Sequence, residues 1–204
     1  MKLKIIIAAI IAIAIAIIVI FSKDETIVDR PEQGSTIVAF GDSLVTGYGL
    51  ATPDTGFVSL LSKRLGVEII NAGENGDTTA TGLARVNDIV RHDPKMVIVL
   101  LGGNDALRRV PVEQTFSNLG KIIDSIHAQG AAVILVGVKG SLFGDKYDDE
   151  FKNLAREKQV NFVPNILSGL FGHPDLMTDQ IHPNAAGHVI MADRIELVLV
   201  KLLK

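Results

Sequence analysis

The chain has 204 residues, 48% of them apolar and 21% charged, with a formal net charge of -3. That length supports one sizeable core. There is no cysteine, which excludes disulfides and thiolate metal sites, and the mildly acidic balance leaves no electrostatic footprint for nucleic acid.

The first four residues, Met1 to Lys4, hold two lysines, and Ile5 to Phe21 is an unbroken run of 17 apolar residues. As a helix that run spans about 26 Å at ~1.5 Å per residue, the short end of what crosses a bilayer. A buried helix of a soluble domain rarely lacks a polar face altogether. The run passes straight into Ser22-Lys23-Asp24-Glu25 without an Ala-x-Ala site. The pattern therefore favours an uncleaved anchor at residues 1–21 over a secretory signal. Lys2 and Lys4 put the N-terminus in the cytoplasm, so the remainder is expected outside the inner membrane, on the periplasmic side. The alternative is release into the periplasm after cleavage. Residues 22–34, charged and ending Pro31-Glu32-Gln33-Gly34, read as a linker, and 35–204 as one domain.

Within that domain short apolar runs alternate with amphipathic stretches. Strands are predicted at Thr36–Phe40, Val67–Ile70, Met96–Leu101, Ala132–Val138 and Asn161–Val163. Helices are predicted at Gly56–Leu65, Thr79–His92, Val112–Gln129, Tyr147–Lys158 and Asn184–Leu203. In the third helix Phe116, Leu119, Ile122, Ile123 and Ile126 recur at i, i+3, i+4 spacing. The alternation implies an α/β fold, a five-stranded parallel sheet in a three-layer α/β/α sandwich. Ligands of such sheets bind beyond the carboxyl ends of the strands. Ser43 follows the first predicted strand, Gly76 the second, Asn104 the third, and Asp179 and His182 follow the fifth through a loop. Every candidate chemical group falls on one edge.

Those groups lie in four blocks. Gly41-Asp42-Ser43-Leu44 supplies a hydroxyl at a strand-to-helix turn, where Ser43 could equally be a helix N-cap. Asp179-Gln180-Ile181-His182-Pro183-Asn184 supplies an imidazole and a carboxylate three residues apart. Serine, histidine and carboxylate are what turn a weak hydroxyl into a nucleophile. Asp175 is a rival carboxylate. Asn104, after Gly102-Gly103, offers an amide donor to a developing oxyanion, with a turn asparagine as the plain alternative. Gly76, in Asn71-Ala72-Gly73-Glu74-Asn75-Gly76-Asp77-Thr78, offers a backbone N–H, with Gly73 as its rival. His92 and His127 read as surface helix residues, and His173 and His188 have no comparable company. No Gly-x-Ser-x-Gly pattern is present, so this is not the α/β-hydrolase elbow.

With Ser43, Gly76, Asn104 and His182 in that order, the chain resembles the SGNH (GDSL-type) hydrolase family. The flanking Gly47-Tyr48, Gly82-Leu83-Ala84-Arg85 and Leu107-Arg108 resemble its bacterial thioesterase I / lysophospholipase L1, arylesterase-like branch. The resemblance covers about residues 36–203. It implies the flavodoxin-like sandwich of that family and a cofactor-free, metal-independent serine esterase. It implies Ser43, Asp179 and His182 as the triad, and an oxyanion hole of the Ser43 and Gly76 N–H groups with the Asn104 side chain. It places the acyl group near Leu107, Arg108 and Val110. The expected substrate is a small acyl ester, thioester or lysophospholipid, acted on by a monomer held at the membrane by its N-terminal helix. O-acetyl groups on envelope polysaccharide, or acyl transfer in place of hydrolysis, are the alternatives.

Overall fold

In a computed structural model, residues 28–138 and 144–204 are described. The predicted anchor, residues 1–21, lies outside them. Among the described residues no helix is long and apolar enough to cross a membrane.

Five parallel strands form one sheet: β1 (Thr36–Gly41), β2 (Ile69–Gly73), β3 (Pro94–Leu100), β4 (Ala132–Val136) and β5 (Asn161–Val163), in the spatial order β2-β1-β3-β4-β5. Among the described residues seven α-helices accompany them: α1 (Ser43–Thr46), α2 (Phe57–Leu65), α3 (Thr79–Val90), α4 (Gly103–Leu107), α5 (Val112–His127), α6 (Gly144–Glu157) and α7 (Ala185–Leu202). The α/β class and the five-stranded parallel sheet are as read from the sequence.

Side chains of the central strands alternate between two cores, as a period of two requires. Ile37, Ala39, Met96, Ile98, Leu100 and Ile134 pack against α2 and α7 on one face. Val38, Phe40, Val97, Val99, Val133 and Leu135 pack against α3, α5 and α6 on the other. Both faces being covered explains why these strands read as continuous apolar runs. The five apolar positions picked out in α5 are all buried.

The chain leaves β1 toward β2, then crosses back to β3 on the other side. The β1/β3 boundary is thus a topological switch point, where loops diverge and open a crevice. Ser43 lies just past β1 and Asn104 just past β3.

The opposite edge is closed by Val28 to Gln33. Val28 N–H donates to Asn161 Oδ1 (3.1 Å) and Asn161 Nδ2 to the Asp29 carbonyl (2.7 Å). Asp29 Oδ2 accepts from Val133 N–H (2.6 Å) and lies 3.0 Å from His127 Nε2. His127 is therefore half-buried and paired, not a free surface residue. Its pKa is raised by the Asp29 hydrogen bond, against the opposing effect of burial. Glu32 N–H then donates to the Gly130 carbonyl (2.9 Å) and Gln33 Nε2 to that of Gln129 (2.9 Å). Residues 28–33 of the segment read as linker thus run along the amino ends of β5 and β4 before the chain enters β1.

Candidate active site

Asp42 caps α1. Its Oδ1 accepts the Leu44 N–H at 3.0 Å, so Ser43 is the first helical residue and its side chain is free of cap duty. Ser43 Oγ lies 3.0 Å from His182 Nε2. His182 Nδ1 lies 2.8 Å from Asp179 Oδ2.

A short antiparallel pairing holds the second half of that chain of bonds. Thr178 N–H donates to the His182 carbonyl (2.8 Å) and Asn184 N–H to that of Leu176 (2.9 Å), with Met177 and Pro183 bridged. Asn184 caps α7 by accepting from the Ala186 and Gly187 N–H groups. Gly187 is needed there: a Cβ would stand 2.4 Å from the Leu176 carbonyl oxygen. At the tip, Asp179 Oδ1 accepts the Ile181 and His182 N–H groups, both at 2.8 Å. Burial pushes the Asp179 pKa up, but the His182 side chain and those two N–H groups outweigh it and hold the carboxyl below the usual range. An ionised carboxylate only accepts, so Nδ1 carries the imidazole proton and Nε2 presents a lone pair to Ser43. Tyr48 covers the imidazole, ring centroids 4.7 Å apart. The rival Asp175 is exposed, and its backbone carbonyl accepts from Asn184 Nδ2.

Asn104 is the second residue of α4, whose N-cap Gly102 has a φ of +114° that suits only glycine. Its Nδ2 donates to the Asp77 carbonyl (2.9 Å) and reaches Asp42 Oδ2 at 3.4 Å. Asp42 is 2% exposed. Burial, with Asp77 and Asp105 adding, pushes its carboxyl up to about 7 against the lowering effect of the Leu44 N–H. Of the two glycine candidates, Gly73 is a strand residue whose N–H is taken by Asn71 Oδ1 (3.0 Å). Gly76 sits in the loop beside Asp77, with φ +82°.

Arg85 on α3 fixes that loop. Its Nε donates to Asp77 Oδ2 (2.6 Å), and its terminal nitrogens donate to the carbonyls of Ala72 and Gly41, each at 3.0 Å. Its guanidinium lies 4.4 Å from the centre of the Phe40 ring. One side chain thereby ties the ends of β1 and β2 to the loop that carries Gly76. Nearby, Asp105 accepts from the N–H and hydroxyl of Thr79 (2.8 and 2.6 Å), locking α4 to α3.

A cleft of about 340 Å³, its open mouth included, is lined by Asp42, Ser43, Asn104 and His182 on one side. The apolar Leu44, Leu107, Val138, Leu167, Phe171 and Ile181 line the rest. Leu107 thus lines the cleft. Arg108 and Val110 do not line the cleft: Arg108 donates to the Gly76 carbonyl (2.9 Å), and Val110 N–H to that of Asp105 (2.9 Å). Sequence reasoning did not reach Leu167, Phe171 or Arg85. Arg85 was visible only as part of a matching stretch, without a role.

The sequence profile of the GDSL-like lipase/acylhydrolase family matches residues 39–190, a span that holds every group just described. The chain belongs to that family. Curated relatives agree. An arylesterase of Vibrio mimicus is 33% identical over 182 residues, covering 83% of this chain and 90% of the relative. Thioesterase 1/protease 1/lysophospholipase L1 of Escherichia coli K12 is 31% identical over 173 residues, covering 80% and 83%. The crystal structure of TesA superposes with a TM-score of 0.76 at 32% identity, over 82% of this chain and 99% of that one. Like its GDSL relatives, this acylhydrolase is a carboxylic ester hydrolase.

Proposed function

We propose that this acylhydrolase cleaves acyl esters and thioesters through a Ser43 acyl-enzyme. The observation that carries the reading is the unbroken series Ser43–His182–Asp179, with contacts of 3.0 and 2.8 Å, opening on an apolar cleft. His182 Nε2 takes the Ser43 proton as Oγ bonds to the acyl carbon. The bond to the leaving group then breaks, and that group leaves with the proton. Water repeats the sequence with His182 as base, releasing the acid and restoring Ser43. Asp179 holds the tautomer and stabilises the imidazolium. The Ser43 and Gly76 N–H groups and Asn104 Nδ2 receive the oxyanion, Asn104 turning from the Asp77 carbonyl toward it.

The cleft wall favours an acyl chain over an acetyl group. Each methylene buried there contributes about 0.8 kcal/mol, or roughly fourfold in kcat/KM, until the cleft is full. Turnover of p-nitrophenyl esters from C2 to C12 tests this. A kcat/KM that climbs to C6 or beyond supports the reading. A maximum at C2 with a steep fall would move the substrate to acetyl esters.

The apolar run from Ile5 to Phe21, with Lys2 and Lys4 before it, supports a membrane-anchored chain whose catalytic domain lies on the periplasmic side. Cell fractionation of the full chain, with protease added to spheroplasts, tests it. Protein in the soluble periplasmic fraction would overturn it.

A further inference from the structure

The point at which the chain enters the domain decides which way the cleft faces. All five strands are parallel, so their amino ends share one edge and their carboxyl ends the other. Ser43, Asn104 and His182 lie beyond the carboxyl edge. Val28 to Gln33 are bound along the amino edge, starting at Asn161, the first residue of β5. The attachment is specific. Asn161 is 4% exposed, and its side chain takes the Val28 N–H while giving one bond to Asp29 and another to Val133. Removing the strap would strand a buried amide and the Val133 N–H, each costly to leave unpaired.

Six residues, 22–27, separate the apolar run from Val28. Fully extended, six residues reach about 22 Å. A domain of this size is about 40 Å across, so the path from one pole to the other around it is on the order of 60 Å. The tether cannot turn the domain over.

We propose that the strap Val28–Gln33 holds the cleft facing away from the bilayer that carries the N-terminal segment. The substrate is then a water-soluble acyl ester or thioester, not a lipid drawn from the anchoring membrane. The inference rests on the esterase and anchor readings above.

The absence of native cysteine makes the test direct. Single cysteines replace exposed Glu157, at the end of α6 on the amino edge, or exposed Arg109, just past α4 on the carboxyl edge. The full chain is reconstituted into phosphatidylcholine vesicles containing an acceptor-labelled headgroup, and energy transfer is measured from each site. Strong transfer from position 157 and weak transfer from 109 is the expected result. Equal transfer, or stronger transfer from 109, overturns the proposal.

An activity arm names the substrate. Inserting twenty Gly/Ser residues between residues 27 and 28 is expected to raise hydrolysis of lysophosphatidylcholine in the chain's own vesicle at least tenfold, with p-nitrophenyl ester turnover unchanged. Equal lipid hydrolysis by native and extended chains overturns it. Failure of the chain to float with vesicles overturns the anchor itself, and loss of ester turnover in both chains overturns the esterase reading. Each is told apart from a wrong orientation by its own readout.

Discussion

The buried carboxyl of Asp42 makes a quantitative case for Asp42→Asn. Asp42 rises from 3.8 unfolded to about 7 folded, which at ~1.36 kcal/mol per pH unit is worth about 4 kcal/mol. The sign follows from the raised value. The folded state holds the proton more tightly, so the contribution is fully present below pH ~4 and is lost as pH rises through about 7. Because the group is 2% exposed, solvent screening does not reduce it appreciably. His188 tilts the other way. Burial, with a smaller electrostatic contribution from nearby His182, lowers its pKa to about 4, so its contribution is present above pH ~6.5 and is lost as pH falls toward 4. Comparing wild type with Asp42→Asn cancels His188. The amide keeps the acceptor for Leu44 N–H but turns a donor toward Asn104 Nδ2, a pH-independent cost of about 1 kcal/mol. The stability difference, variant minus wild type, should therefore rise by about 3 kcal/mol between pH 4.5 and 8. Urea denaturation followed by circular dichroism at four pH values measures it. A difference constant to within about 1 kcal/mol across that range would refute the raised pKa of Asp42.

Three further outcomes follow from the site. Arg85→Ala leaves Asp77 buried without its cationic partner, a loss of about 3 kcal/mol or more, which lowers Tm by roughly 6–12 °C at this chain length. Arg85→Lys restores only part of it, because an ammonium cannot span the three acceptors of the planar fork. Calorimetry on both variants checks this, and an unchanged Tm in Arg85→Ala would contradict it. Asn104→Ala should lower kcat by about 10²–10³ with KM within a few-fold, the usual loss for one oxyanion donor, read from steady-state ester hydrolysis. Asp179→Asn, which presents an amide to Nδ1, should lower kcat by about 10³–10⁴ while labelling at Ser43 slows but persists.

Some elements are legible in the sequence, and others depend on partners met only in the fold. α5 was legible because five apolar residues at helical spacing face one core. β2 was expected at Val67–Ile70 but runs Ile69–Gly73, because β1 templates it: Ala39 and Gly41 pair with Asn71 and Gly73, residues with little strand propensity of their own. β4 was expected to reach Val138 but ends at Val136, leaving Val138 to line the cleft. α1 and α4 are four and five residues long, too short to show a period. Ser43, Asn104, Asp179 and His182 were legible because strand ends and turn residues mark that edge. The roles of Arg85 and Asn161 were not, since each depends on partners brought together only by folding. Asn161 meets Asp29 across 132 positions of chain.

The central claim is that Ser43 is the nucleophile, and a fluorophosphonate probe tests it most directly. Wild type and Ser43→Ala are treated side by side, the adduct is located by peptide mass spectrometry, and ester turnover is measured on the same samples. One adduct is expected, on the peptide containing Ser43, with no labelling of Ser43→Ala and turnover lowered by several orders of magnitude in that variant. An adduct on another residue, or turnover in Ser43→Ala within a few-fold of wild type, would contradict it.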